Sequence, residues 1–212
     1  MEARRKRLRA RLVAELLSLQ EARLRAVLKE VLVVASSVGA LGVSARLKFY
    51  IPISPVPFTL QTLVLTYLVL ALGRKAWRAV LAYLLGGLAG LPLFAHGGGP
   101  LYVLSPTFGY LLGFLVGALI GGWIVGEGGL MPPRRLLIAC TSVLLATYIL
   151  GALHLALWFK LFRGLGILEA LGLALLTGVL PFILWDAMKA YIAFLLYILT
   201  IKALRTRKKL KL

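Results

Sequence analysis

The chain of 212 residues holds one cysteine, two histidines and seven acidic residues. Each scarcity removes a class of function. Cys140 has no partner for a disulfide within the chain, and one thiol with two widely separated histidines is a poor zinc set. The G-x-x-x-x-G-K-[ST] phosphate loop is missing, which excludes ATP hydrolysis by that route, and H-E-x-x-H is missing as well. Neither a metal site nor a cofactor is expected, and catalysis is the weaker reading.

Charge is also missing over long distances. Residues 49–73, 79–126 and 136–159 contain no Asp, Glu, Lys or Arg, in a chain that is 61% hydrophobic and 15% charged. That is not the composition of a soluble domain. A bilayer core needs about 20 apolar residues per helix, so the middle run makes two spans. Its break lies at His96-Gly97-Gly98-Gly99-Pro100, where three glycines and a proline oppose a continuous helix. With one span before residue 49 and another after residue 170, the fold class is all-α: a polytopic membrane protein of six transmembrane helices.

The helices are predicted at residues 29–47, 58–73, 77–94, 106–126, 134–158 and 172–202. Residues 1–28 form a basic amphipathic helix on the cytoplasmic side, 29–204 the six-helix substrate-binding domain, and 205–212 a basic cytoplasmic tail. The first apolar stretch begins only at Val31, behind a basic segment. That is not the pattern of a cleaved secretory signal, so the N-terminus is expected to be retained.

The net charge of +18 raises the question of nucleic acid, and the distribution of the cations answers it. Nine lie at or before Lys29, three at Arg74, Lys75 and Arg78, two at Arg134 and Arg135, and six from Lys202 onward. These are alternate connections, all on one side. The other side holds only Arg46, Lys48, Lys160 and Arg163. The asymmetry places both termini in the cytoplasm and the chain in the cell membrane, with no role for nucleic acid. In the N-terminal helix Leu8, Leu12, Leu16 and Leu19 share a face and Arg4, Arg5, Arg7, Arg11 and Arg23 lie elsewhere. It reads as an anchor on anionic lipid or as a dock for a partner.

Small residues recur at intervals of four. Gly109, Gly113, Gly117 and Gly121 line one face of the fourth span, and Ala35 with Gly39 and Ser36 with Ala40 repeat the pattern in the first. Such faces let helices approach closely in lipid, either inside the protein or against another chain.

Asp186 and Lys189 carry the chemistry. They are three positions apart within the last span, hence on one face. Charges at that depth are costly and persist when paired or facing a cavity. They make either a polar binding site or a structural ion pair between helices. Gln61, one turn after Phe58, needs a partner for its amide. The outer loop before Tyr110 adds glycine amides, Tyr102 and Thr107, with His96 either joining them or incidental. His154 reads as interfacial. The first outer loop, Phe49-Tyr50-Ile51-Pro52-Ile53-Ser54-Pro55-Val56-Pro57, has almost no polar surface and either covers a cavity or rests in the lipid interface.

Three segments resemble a known family. Pro55-Val56-Pro57-Phe58-Thr59-Leu60-Gln61-Thr62, then Gly87-Leu88-Ala89-Gly90-Leu91-Pro92 running on to Pro106-Thr107-Phe108-Gly109-Tyr110, then Asp186-Ala187-Met188-Lys189 are similar, in order, to motifs of the BioY proteins. These are the biotin-specific S-components of energy-coupling factor transporters. The resemblance covers about residues 30–200. Ser105 and Phe108 stand where the family commonly has glycine, and Leu184-Trp185 where it has Pro-Gly.

The resemblance implies a biotin-binding membrane subunit, not an enzyme, with the ligand in the outer half. Asp186 would meet the ureido N–H and Lys189 the ureido oxygen. Gln61, Tyr110 and the glycine loop would supply remaining contacts. It also implies a transmembrane T-component, docked on the small-residue face of the first helix, and two ATPase subunits. The alternatives are an S-component for another vitamin, or a membrane enzyme or lipid-interacting scaffold that reuses the charged pair.

Overall fold

The computed structural model describes the backbone of residues 2–127 and 131–209 and the side chains of residues 15–127 and 131–206. The chain is mostly helical. In order it forms α1 (Glu2–Arg46), β1 (Lys48–Phe49), β2 (Phe58–Thr59), α2 (Gln61–Leu72), α3 (Ala76–Leu88), α4 (Phe108–Val125), α5 (Pro133–Arg163), α6 (Ile167–Gly178) and α7 (Ile183–Lys209). Single 3-10 turns occupy Gly73–Lys75 and Pro100–Leu104. Among the described residues, four helical stretches are long and apolar enough to cross a membrane: Glu15–Arg46, Phe108–Val125, Pro133–Arg163 and Ile183–Thr206.

The chain divides into two units, Met1–Ser36 and Ser37–Leu212. In the first, Glu21 and Arg25 pair one turn apart at 3.4 Å. Leu16 and Leu19 of the expected amphipathic stripe are exposed. The side chains of Leu8, Leu12, Arg4, Arg5, Arg7 and Arg11 lie outside the described residues, as do those of Arg207, Lys208 and Lys209 in the basic tail.

In the second unit α4 packs most extensively on α5, and the glycine row is the reason. A Cβ at Gly113 would lie 2.5 Å from Thr147 Cα, and Gly109 and Gly117 meet the same helix at Leu150, His154 and Val143. The glycine face of the fourth span is thus internal packing. α6 lies on α5 through Ala170 and Ala174, in one apolar cluster with Leu155 and Phe159. α2 packs against both α7 and α4.

Two expectations need correction. The helix expected over residues 77–94 ends at Leu88. Gly90, at φ 106°, turns the chain, and the Gly90 and Leu91 amides donate back to Gly87 O (3.2 Å) and Gly86 O (3.1 Å). This pair of bonds caps the last carbonyls, and Pro92 follows where a helix could not continue. The helix expected over residues 172–202 is in two pieces, α6 and α7, with residues 179–182 non-helical between them. Pro181 has no N–H to continue the ladder and its ring excludes the preceding turn.

The strands form a minimal antiparallel pair, Lys48 opposite Thr59 and Phe49 opposite Phe58. They close residues 50–57 into a hairpin whose Val56 is buried.

Candidate functional site

The start of α7 brings Asp186 and Lys189 to the end of α2, where the hairpin strand β2 arrives. Three residues of helix put both side chains on one face, and both are buried, 4% and 7% exposed. Lys189 Nζ lies 2.8 Å from Asp186 Oδ1. It also donates to Thr59 O at 2.6 Å and stands 3.6 Å from the centre of the Phe58 ring. One N–H of the ammonium therefore goes to Asp186 and one to β2. The Asp186 carboxylate accepts from the Thr62 hydroxyl at 2.8 Å on Oδ1 and from the Tyr148 hydroxyl at 2.7 Å on Oδ2. Every charge is matched, as burial at this depth demands.

The pair opens onto a cavity of about 60 Å³, counted as the space open to the centre of a water-sized sphere. One wall is polar, made by Asp186, Lys189, Thr62 and Tyr148; Leu111, Phe114, Phe182 and Val56 give apolar walls. Tyr110 donates to Gly178 O at 2.8 Å, the carbonyl freed where α6 stops. Phe49 stacks on Phe58 with ring centres 4.4 Å apart, and Trp185 meets Phe58 edge-on at 5.9 Å. None of these three rings is among the residues that line the cavity.

Six of the residues singled out in the sequence line this cavity: Asp186, Lys189, Gln61, Tyr102, Thr107 and Tyr110. Gln61 has both ends of its amide engaged by protein. Its NH2 donates to Tyr83 Oη at 2.7 Å and its oxygen accepts from Thr59 Oγ1 at 3.2 Å. Phe58 is not among the lining residues and acts on the site through Lys189. His96 stands behind Tyr102, with Nδ1 3.3 Å from Tyr102 Oη and Nε2 2.9 Å from Tyr50 Oη. It links the hairpin to the loop between α3 and α4. Burial lowers the His96 pKa below 6.5, and the Lys48 ammonium acts in the same direction. Burial raises the Tyr102 phenol. His154 Nε2 lies 3.0 Å from Ser105 O, which ties α5 to the same loop.

Thr62, Thr147 and Tyr148 also line the cavity and were not singled out from the sequence. Thr147 keeps its hydroxyl on Val143 O, one turn back in its own helix. Tyr148 carried a readable signal, a phenol in mid-span that needs a partner. Of the expected docking residues, Ala35 and Ser36 are exposed in the first unit and Gly39 and Ala40 in the second. A Cβ added at Gly39 meets nothing within 4 Å.

Apolar helices of spanning length and a neutralised ion pair set beside a cavity define a membrane protein organised around a chamber. Residues 14–206 match the model of the BioY family, and the chain belongs to that family. It is 35% identical over 170 residues to the probable biotin transporter BioY of Pyrococcus horikoshii, covering 79% of this chain and 93% of that protein. The match to the probable biotin transporter BioY of Lysinibacillus sphaericus is 37% identical over 107 residues, 50% of this chain and 54% of that protein. The fold is that of a crystal structure described as the S-component for biotin from an ECF-type ABC transporter. The two superpose with a TM-score of 0.63 at 22% identity, over 82% of this chain and 90% of that one.

Proposed function

We propose that this protein is a biotin-binding S-component that captures biotin from outside the cell for translocation driven by partner ATPases. The observation that carries the reading is the buried Asp186–Lys189 pair at the wall of a largely apolar cavity. Biotin's ureido ring offers two N–H donors and one carbonyl acceptor, and its thiophane ring and valeryl chain suit apolar walls. Asp186 takes an N–H and Lys189 the ureido oxygen. Tyr102, Thr107 and Tyr110 serve the remainder of the guest, and Gln61 contributes by holding Thr59 and Tyr83 in place. Family membership supports the assignment, as do the names of its relatives.

In this reading the chain crosses the plasma membrane six times with both termini in the cytoplasm, and α6 and α7 together make an interrupted last crossing. Residues 1–28 are a cytoplasmic basic helix, 29–204 the binding domain and 205–212 a basic tail. The exposed Gly39 and Ala40 belong to a face for a transmembrane T-component, with two ATPase subunits completing the transporter. The chain performs no chemistry itself and needs no cofactor.

The test is mass spectrometry of small molecules carried through purification in detergent, followed by titration calorimetry with biotin. Co-purified biotin and saturable binding are expected. Retention of another vitamin, or turnover without a retained ligand, overturns the assignment.

A further inference from the structure

Asp186 is the one carboxylate among the residues lining the cavity, and most of its accepting capacity is already in use. Oδ1 receives Thr62 and Lys189, each at 2.8 Å, and Oδ2 receives Tyr148 at 2.7 Å. A carboxylate has about four acceptor places. One remains, on Oδ2 beside the Tyr148 hydroxyl. The three donors come from α2, α5 and α7, so the plane of the carboxylate is set by three helices together. The ion pair is neutral as a whole. A cation in the cavity therefore loses its hydration and gains little net attraction in return.

On the reading given above, we propose that Thr62 and Tyr148 are positioning residues that leave Asp186 a single acceptor place. Tyr148 thereby selects an uncharged N–H donor of the urea type over a cyclic guanidinium. A urea gives one N–H to the open place and keeps its carbonyl for the Lys189 ammonium. A guanidinium presents N–H where that carbonyl would be, against the Lys189 charge, and its planar fork needs two adjacent acceptors. The Tyr148 hydroxyl occupies the second of them. Replacing it by hydrogen frees that acceptor and leaves the ring in the wall, so the two ligand classes respond in opposite directions. A purely structural tyrosine would affect both alike.

The experiment measures dissociation constants for biotin and for 2-iminobiotin, a cyclic guanidine that is protonated at neutral pH, on the full chain in detergent. The wild type is expected to prefer biotin. In Tyr148→Phe the preference ratio falls roughly tenfold, the scale of one charge-assisted hydrogen bond, through weaker biotin and tighter 2-iminobiotin binding. Thr62→Ser, which keeps the hydroxyl, holds the wild-type ratio, and Thr62→Val lowers it. The ratio does not depend on the fraction of protein that is folded. An unchanged ratio in Tyr148→Phe, with biotin still bound, overturns this proposal and leaves the biotin reading intact. A wild type that binds neither ligand overturns the reading beneath it. If Tyr148→Phe yields no folded protein, Thr62→Ser against Thr62→Val decides, and equal ratios overturn the proposal.

Discussion

Removing Lys189 alone and removing the whole ion pair are expected to have different consequences. Lys189→Met deletes the 2.8 Å ion pair, the bond to Thr59 O and the contact with the Phe58 ring. It leaves a carboxylate only 4% exposed with no counter-charge. Breaking a buried pair from one side costs about 3–5 kcal/mol. For a chain of this length, that is a fall in melting temperature of roughly 6–20 °C. Asp186→Asn/Lys189→Met removes both charges. The amide oxygen still accepts from one of Thr62 and Tyr148 and the amide NH2 donates to the hydroxyl oxygen of the other, so most of the lost stability returns. Biotin binding does not return, because two charge-assisted hydrogen bonds to the guest are gone. Its affinity falls on the order of 10²–10⁴-fold. Thermal unfolding in detergent and titration calorimetry read the two effects separately. A double variant that binds biotin within about threefold of wild type would refute the placing of this pair on the guest. A single variant as stable as wild type would refute its burial.

Further outcomes are expected elsewhere in the molecule. Gly113→Val forces a side chain against the α5 backbone at Thr147 and lowers the unfolding free energy by about 2–4 kcal/mol, measured by thermal unfolding in detergent. Gly39→Val adds its side chain where nothing lies within 4 Å. It leaves the stability and biotin affinity of the isolated protein unchanged and weakens co-purification with the transmembrane partner; unaltered co-purification would remove that face from the docking model. His96 has its pKa held below 6.5 in the fold, so the folded state binds fewer protons than the unfolded chain as pH drops below that value. Stability is therefore full above about pH 6.5 and declines as pH falls below it. A flatter melting profile between pH 7.5 and 5.5 is expected for His96→Gln, by differential scanning fluorimetry.

Much of this was legible in the residues themselves. Intramembrane charges are rare enough that Asp186 and Lys189 announced themselves, and their spacing fixed a shared face. The four-residue glycine interval named the α4 face that meets α5, because only a missing Cβ admits Thr147 Cα so closely. Thr62 and Tyr148 were harder to find. Each is an ordinary residue in an apolar span, and its role depends on a carboxylate 124 or 38 positions away. The end of α3 and the gap before α7 were marked by Gly90, Pro92, Gly178 and Pro181. Hydropathy runs straight through all four, and a reading based on apolar length overlooked them. Gln61 lines the cavity, but its partner Tyr83 is 22 residues distant and invisible to local pattern.

The glycine contacts also decide which parts of the chamber are open to change. Tyr110, Leu111 and Phe114 come from α4, and Thr147 and Tyr148 from α5. The gap between those two rows is set by backbone meeting backbone, so no single side-chain replacement on that seam can widen it without parting the helices. The loop after α3 is held as tightly, since a Cβ at Gly98 would lie 2.1 Å from Leu91 O, whereas the hairpin has no glycine so placed. A change of guest, whether drifted or engineered, has its room to manoeuvre in the hairpin, with the α4–α5 seam as the fixed wall.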